Sequence, residues 1–239
     1  MKRREFLTSI TALGVASTIP VVTQAEVING GQPWEPGQVK TPPSPPRQGG
    51  LQYLTQHEFD TVGAIAERFI PADETSLSGK EAGCATFIDR QLAGDYGNAV
   101  AIYRLGKFVK GTPEQGPQSP LTPAQRYRLG LAALDKAVQQ QYGKDFISLS
   151  GEQQDKVLTA LENVTLDLGE EVETKVFFEL LLQNVREGFL SDPIYGGNKE
   201  MTSWKMIGFP GARYDFRDLL PKKGQKLNII PTSLIDNQL

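Results

Sequence analysis

The sequence predicts an all-α fold, an irregular helical bundle with a Pro/Gly-rich N-terminal arm and a long loop-rich C-terminal segment. Three observations support this prediction. The same kind of helix-start signal occurs three times. Apolar residues recur every three to four residues after each signal, as on one face of an α-helix. Finally, no segment alternates apolar and polar residues over the length of a half-buried strand.

The first helix-start signal is the run LTQHEF. Thr55 is suited to be the N-cap, and Glu58 three residues later completes a capping box, while Leu54 and Phe59 have the spacing of a hydrophobic staple. The residues that follow place one apolar face on the helix: Phe59, Val62, Ile65, Ala66 and Phe69. Pro71 predicts the end of the helix, since proline disfavours a helical conformation in the residue before it.

A second, shorter helix is predicted from Cys84, Phe87, Ile88 and Leu92, which share one side at helical spacing. On this face Cys84 is interpreted as a small buried hydrophobic residue. The alternative is a disulfide to a partner chain, because a lone cysteine in an exported protein can pair intermolecularly.

A further helix is predicted from Ala101, Leu105 and Phe108, before the loop GTPEQGPQSP at residues 111–120.

Two later helices repeat the capping logic. Thr122 is followed by Pro123 at the first helical position and by Gln125, and Ser150 is followed by Gln153. Three apolar faces follow in order: Tyr127, Leu131, Leu134 and Val138; Val157, Leu158 and Leu161; and Val172, Val176, Phe177, Leu180, Leu181 and Val185. The last is the most apolar, which predicts that its helix lies at the centre of the bundle.

The inventory of reactive side chains excludes several classes of chemistry. Among 239 residues there is one histidine, His57, and one cysteine, Cys84, so a zinc site built from these two residue types has too few ligands, and an internal disulfide is impossible. No C-x-x-C-H, G-x-G-x-x-G or G-x-S-x-G run is present. His57 is expected in the opening turn of the first helix as a solvated side chain. The net charge of −3 predicts no basic face for nucleic acid.

Residues 1–25 have the three-part pattern of an export signal, with a basic start, an apolar run and small residues before a cleavage point after Ala25. Arg3 and Arg4, followed by Phe6 and Leu7, resemble a twin-arginine (Tat) signal. An ordinary secretory signal that carries two arginines is the alternative. If the Tat route is used, the signal serves either a cofactor-containing partner that lacks one or a chain that folds too fast for the other route.

Residues 26–50 are dominated by proline and glycine, so neither a helix nor a central strand is expected there. Two interpretations are open. The segment is a flexible tether, or it is an arm that orders against a partner, with Trp34 as its anchor.

The run DPIYGGNKEMTSWKMIGFPG, residues 192–211, stands out after the most apolar helix and is called the motif below. Asp192 and Pro193 are expected to start a turn. Gly196 and Gly197 permit positive φ, and Asn198 is placed to cap a short helix through Met206. Gly208, Phe209, Pro210 and Gly211 are expected to end that helix.

Three interpretations of the motif are open. Its backbone amides near the paired glycines would form an anion cradle, with Lys199 as the nearby cation. Alternatively, it is a rigid turn that packs its aromatic residues on the bundle. In the third interpretation it is a protein interface, since aromatic residues and methionine anchor such contacts. The interface hypothesis assigns these residues: Asp192, Pro193, Tyr195, Gly196, Gly197, Asn198, Trp204, Gly208, Phe209, Pro210 and Gly211.

The motif also carries a family resemblance. DPIYGGN and the later WKMIGFPGA, residues 204–212, resemble the hallmark of the gluconate 2-dehydrogenase subunit 3 family, and FIPADETSLSGKEAG at residues 69–83 is similar to a second stretch of it. The resemblance spans residues 51–212. It leaves the arm and the tail at residues 213–239 unmatched, and both are expected to wrap a partner.

The resemblance implies a non-catalytic small (gamma) subunit that contains no catalytic, cofactor-binding or metal-binding residues of its own. In such complexes a large flavoprotein of the glucose-methanol-choline type carries FAD and oxidises gluconate, glucose or a similar sugar or polyol. A multi-haem cytochrome c subunit carries haem c. The small subunit supports maturation of the flavoprotein and its export by the Tat translocase, which implies a periplasmic location at the inner membrane.

Two other functions stay open from the residues alone. One is a stand-alone periplasmic hydrolase that uses only carboxylates, with Asp192 and Asp215 as candidates. The other is a periplasmic ligand-binding or assembly factor without a fixed enzyme partner.

Overall fold

A computed structural model of the chain describes residues 49–104, 106–109, 111–115, 119–213 and 215–235. These residues form six α-helices: α1 Gln56–Phe69, α2 Cys84–Ala93, α3 Pro123–Tyr142, α4 Gly151–Glu162, α5 Thr174–Leu190 and α6 Thr202–Ile207. Short 3-10 helices lie at Pro113–Gln115, Phe146–Ser148, Pro193–Tyr195, Lys199–Met201 and Arg217–Lys222. Between these described residues the only β-type pairing is an isolated bridge from Gly211 to Thr232. The all-α prediction is confirmed.

The N-terminal predictions lie outside the described residues. This holds for the export signal with Arg3, Arg4, Phe6 and Leu7, and for the arm as far as residue 48, including Trp34.

All three predicted capping boxes are present. The Thr55 hydroxyl accepts a hydrogen bond from the Glu58 backbone N–H, and the Glu58 carboxylate accepts one from the Thr55 N–H. Thr122 with Gln125 and Ser150 with Gln153 form the same reciprocal pair at the starts of α3 and α4. Each box satisfies two backbone donors that the helix cannot satisfy itself, which fixes where the helix begins. α1 ends at Phe69, two residues before Pro71, as predicted.

α5 lies at the centre of the bundle, because it contacts each of the other five described α-helices. Its buried residues include Phe177, Leu181 and Val185, each no more than 2% exposed. They pack with residues from α1 to α4, among them Ile65, Ile88, Tyr127, Leu131 and Leu161. The predicted apolar faces of these helices are therefore the faces that form the core.

The predicted helix through Ala101, Leu105 and Phe108 is wrong for the described part of this segment. Residues 95–101 form consecutive turns, and Ala99 has a left-handed backbone with φ 53°. Gly94 and Gly97 are poor helix formers, and the Gly97 N–H folds back to the Gln91 carbonyl at 3.0 Å. The apolar side chains that follow are left exposed, with Tyr103 82% accessible, so no core contact favours a helix here. Leu105 lies outside the described residues.

His57 is half-buried and not simply solvated. Its Nε2 atom lies 2.8 Å from an Asp135 carboxylate oxygen on α3, so the side chain joins α1 to α3.

Cys84 is fully buried, and its thiol donates a weak hydrogen bond to the Val185 carbonyl oxygen at 3.5 Å. Burial raises the pKa of this thiol to about 12. A disulfide to another chain first requires that the α2–α5 contact opens, since the sulfur has no access to solvent.

None of the helices in the described part of the chain has the length and apolarity needed to cross a lipid bilayer.

Candidate functional site

The motif begins with a turn that Asp192 holds in place. Its Oδ1 atom accepts a hydrogen bond from the Ile194 N–H at 2.9 Å, which caps the 3-10 helix Pro193–Tyr195 and confirms the predicted turn. The same carboxylate binds the C-terminal segment, accepting from the Ser233 hydroxyl at 2.7 Å and from the Leu234 N–H at 3.0 Å. Asp192 is thus the point at which the turn and the tail meet.

The tail returns to the motif of its own chain. Thr232 donates its N–H to the Pro210 carbonyl at 3.2 Å, and its own carbonyl accepts from the Ala212 N–H at 2.7 Å. Pro231 and Ser233 are buried by this contact. Residues 232–234 are therefore anchored on the motif of their own chain, and the expectation that the tail wraps a partner stays a prediction.

The paired glycines hold the turn against the bundle. Gly196 has φ 98°, and its N–H donates to the Pro193 carbonyl at 2.9 Å. Gly197 has no positive φ, so the predicted freedom applies to Gly196 alone; a Cβ at Gly197 would lie 2.1 Å from the Gly188 carbonyl oxygen on α5. The glycines thus allow close backbone approach, and the Gly196 amide is not available to an anion. The Lys199 N–H is likewise bound to the Ala82 carbonyl at 3.0 Å, so two amides of the proposed cradle are already used within the chain, which counts against it.

Asn198 organises the second half of the motif from a fully buried position. Its Oδ1 atom accepts hydrogen bonds from the Ser203 N–H at 3.0 Å and from the Ser203 hydroxyl at 2.8 Å, and its amide donates to the Ser191 carbonyl at 2.9 Å. The predicted position of the cap is wrong, because Met201 is the N-cap of this helix, which runs from Thr202 to Ile207. Asn198 instead satisfies the Ser203 N–H in the first turn from outside the helix.

The backbone between Asn198 and α6 is strained. The φ values are 47° at Asn198, 59° at Glu200 and 54° at Met201. Residues with a side chain rarely adopt this left-handed region, with asparagine the commonest exception. Three of the five non-glycine residues with positive φ in the described ranges lie here. Such strain persists where surrounding contacts fix it, and it concentrates at functional sites.

Trp204 supports the motif from inside. It is 6% exposed, and its indole N–H donates to the Leu190 carbonyl, an orphan acceptor at the end of α5, at 2.9 Å. The Phe209 ring stands edge-on to the indole with centroids 5.1 Å apart. Trp204 therefore positions Phe209 and does not itself present a large free surface.

Several apolar side chains of the motif region are left uncovered, and we call this set the motif face: Leu190, Tyr195, Met206, Ile207 and Phe209, with exposed fractions of 41–56%. Beside it, Leu190 and Tyr195 line an open groove of 640 Å³ between α2 and α5, together with Phe87 and Arg186. An exposed apolar surface on a rigid, hydrogen-bonded support is typical of a protein interface.

The two candidate carboxylates have structural partners. Asp192 accepts three hydrogen bonds, as described above. Asp215 accepts a hydrogen bond from Arg217 Nε at 2.6 Å, and this contact holds the pKa of Asp215 below its usual range. A carboxylate with a lowered pKa is poorly suited to be a general acid near neutral pH. Asp215 is therefore a poor candidate for the general acid of a hydrolase, and the hydrogen bonds of Asp192 give that residue a structural role.

No group of three or more His, Cys, Asp or Glu side chains in the described ranges is arranged to hold a metal ion.

Two anchoring carboxylates escaped the sequence reasoning. Asp89 on α2 is 3% exposed and accepts hydrogen bonds from the backbone N–H groups of residues 52, 53 and 54 at 2.8–2.9 Å, which fixes the entry to α1. Glu58, already assigned to the capping box, also pairs with Arg128 on α3. Their partners lie at least 35 residues away in sequence, so no local spacing signals them.

A family model described as Gluconate 2-dehydrogenase subunit 3 matches residues 56–211. No curated protein and no solved structure matches the chain. The family match covers more than half of the sequence and includes all six described α-helices and the whole motif. The chain therefore belongs to the gluconate 2-dehydrogenase subunit 3 family.

Proposed function

We propose that this chain is the non-catalytic small subunit of an exported, FAD-dependent sugar or polyol dehydrogenase complex. Family membership makes it a small subunit of a dehydrogenase complex. The proposal adds that it supports folding of the large flavoprotein, and that its twin-arginine signal carries the flavoprotein through the Tat translocase. FAD then belongs to the flavoprotein, and haem c to a cytochrome subunit that completes the complex on the periplasmic side of the inner membrane.

The observation that carries this proposal is that the polar residues of the motif form hydrogen bonds within the chain, whereas two of its aromatic residues are exposed. The polar side-chain atoms of Asp192, Asn198 and Trp204 form hydrogen bonds within the chain. Tyr195 and Phe209 are left 51% and 41% exposed on that support. Rigid aromatic side chains presented in this way lose little conformational entropy on binding, so they are suited to anchor a partner.

The chemical inventory supports the non-catalytic assignment. The sequence contains one histidine and one cysteine. The cysteine is buried with a raised pKa, so it is not poised as a nucleophile. The histidine is paired with Asp135 and joins α1 to α3. The acids nearest the motif hold backbone and side-chain partners.

The experiment is a deletion in the native host. Removing this chain is expected to leave the flavoprotein in the cytoplasm, unstable or without FAD, measured by fractionation, immunoblotting and flavin fluorescence. Complementation with the full chain restores the exported holoenzyme. Complementation with a chain in which both Arg3 and Arg4 are replaced by lysine restores folding but not export.

A fully active and exported flavoprotein in the deletion strain contradicts the proposal. So does turnover of a glycoside or ester by the purified small subunit alone.

A further inference from the structure

A second uncovered surface lies on the segment that fails to form a helix. We call it the loop groove: it is a cavity of 580 Å³ between residues 99–104 and 106–109 on one side and the start of α3 on the other, and its lining includes Ile102, Tyr103, Arg104, Lys107, Phe108 and Arg126. Ala99, with its left-handed backbone, also lines it. Neither the family assignment nor the motif face explains this surface.

The loop groove has a one-sided charge. Among the described residues its lining contains three basic residues, Arg104, Lys107 and Arg126, and no aspartate or glutamate. Arg126 also borders a smaller pocket that Glu171 and Glu173 line. None of the three makes an ion pair with a carboxylate of the described residues. Arg104 uses one guanidinium nitrogen to donate to the Pro120 carbonyl at 2.6 Å. A low-dielectric wall with one sign of charge attracts a ligand of the opposite sign.

Of these three basic residues, Arg126 has a buried side-chain donor without a partner in the described ranges. Its Nε atom is buried and has no hydrogen-bond partner within the structure as described. Burial also lowers the pKa of this guanidinium from its ordinary value, although an arginine stays charged near neutral pH. A buried donor of this kind is destabilising unless something pairs with it. A carboxylate is the group whose planar geometry fits a guanidinium best.

The apolar part of the loop groove is exposed to an extent that a small ligand would not cover. Tyr103 is 82% accessible, Val109 77% and Ile102 59%. Pockets for small molecules bury most of the ligand surface, whereas the aromatic and aliphatic side chains that line the loop groove are themselves largely exposed to solvent. A polypeptide segment has the size to cover such a surface.

We infer that the loop groove binds an acidic, apolar segment of a partner polypeptide, with a carboxylate paired to Arg126 and apolar side chains packed on Tyr103 and Phe108. The inference rests on the proposed function only in that the chain works inside a complex. It adds a second contact, chemically distinct from the motif face, which has aromatic residues but no comparable cluster of bases.

The test uses the full chain in its native host with a benzophenone amino acid in place of Tyr103. After irradiation, the cross-linked peptide is sequenced by mass spectrometry. The expected product joins position 103 to a segment that contains Asp or Glu beside apolar residues. Because a buried charge pair loses its attraction when one member is neutralised, Arg126→Gln in the same chain lowers the cross-link yield by about tenfold or more. Arg126→Lys retains the charge and more of the yield.

Lys136→Gln is the matched control, since Lys136 is an exposed base on the same helix and does not line the loop groove. It leaves the yield unchanged. Thermal unfolding of Arg126→Gln is expected to match the wild type, because the described residues give the Arg126 Nε atom no hydrogen bond to lose. If that variant unfolds, Lys107→Gln gives the same measurement from an exposed position and is expected to lower the yield at least about threefold.

Four outcomes overturn the inference: no cross-link from position 103, adducts with lipid or small molecules only, a partner segment without carboxylates, or equal yields with and without Arg126. A parallel chain with the benzophenone at Phe209 separates the two surfaces. Cross-links from position 209 alone reject the loop groove and leave the proposed function standing. Cross-links from position 103 alone support the loop groove and count against the motif face.

Discussion

Trp204→Ala discriminates between an anchor on the surface and a support within the fold. The indole is 6% exposed, and its N–H satisfies the Leu190 carbonyl at the end of α5. Replacing a buried tryptophan by alanine costs about 3–5 kcal/mol from lost burial and the cavity left behind. For a chain of about 150–250 residues, one kcal/mol moves Tm by about 2–4 °C, so we expect Tm to fall by about 6–20 °C.

The assay is thermal unfolding followed by far-UV circular dichroism, with Tyr195→Ser as the control. Tyr195 is 51% exposed and no described side-chain hydrogen bond involves it, so its replacement is expected to move Tm by no more than about 1 °C. For partner binding we expect Tyr195→Ser to reduce the recovery of the flavoprotein although its Tm is unchanged, since Tyr195 belongs to the motif face. An unchanged Tm in Trp204→Ala, together with lost partner binding, contradicts the reasoning and makes Trp204 itself the anchor.

Three further predictions follow from buried or paired groups. Asp89→Asn places an amide N–H₂ against backbone donors, so urea unfolding is expected to show a loss of about 1–3 kcal/mol, and a wild-type value contradicts the anchoring role. The hydrogen bond from Arg68 lowers the pKa of Asp155. At pH values above about 4, the pKa of an aspartate in the unfolded chain, this exposed pair contributes at most about 1 kcal/mol to the free energy of unfolding. The contribution is lost as the pH falls through the lower pKa that Asp155 has in the folded chain. In Arg68→Gln the free energy of unfolding should therefore fall less steeply between about pH 5 and pH 2 than in the wild type. An identical pH dependence in the two proteins contradicts a stabilising pair. Finally, Cys84, with a pKa of about 12, should react with a disulfide reagent at pH near ~8 only after denaturation, and fast labelling of the native chain refutes its burial.

Local signals made much of the fold predictable. The capping boxes at Thr55, Thr122 and Ser150 depend on side chains three residues apart, so their geometry is encoded within one helical turn. The turn at Asp192 has the same local origin. The central position of α5 follows from its broad apolar face, because a wide apolar stripe must be covered by several neighbouring helices, while Lys175, Gln183 and Arg186 stay exposed on the opposite side.

The parts that escaped prediction depend on distant contacts. Asp89 binds a segment 35–37 residues earlier in sequence, and Asp192 binds Ser233 41 residues later. The segment after α2 has apolar residues at helical spacing, but its glycines and the absence of a covering helix leave it in turns. Composition shows that the motif is aromatic, yet only the packing shows that Trp204 faces inward while Tyr195 faces outward.

The central claim is that the motif face binds a dehydrogenase subunit, and one measurement tests it most directly. The full chain is co-expressed with the flavoprotein from its native host and purified through an affinity tag, as wild type and with Tyr195→Ser and Phe209→Ser combined. Equal Tm values establish that both forms are folded. We expect the wild type to retain the FAD-containing flavoprotein in a stable one-to-one complex and the double variant to lose most of it. Equal recovery of the flavoprotein by the two forms contradicts the claim.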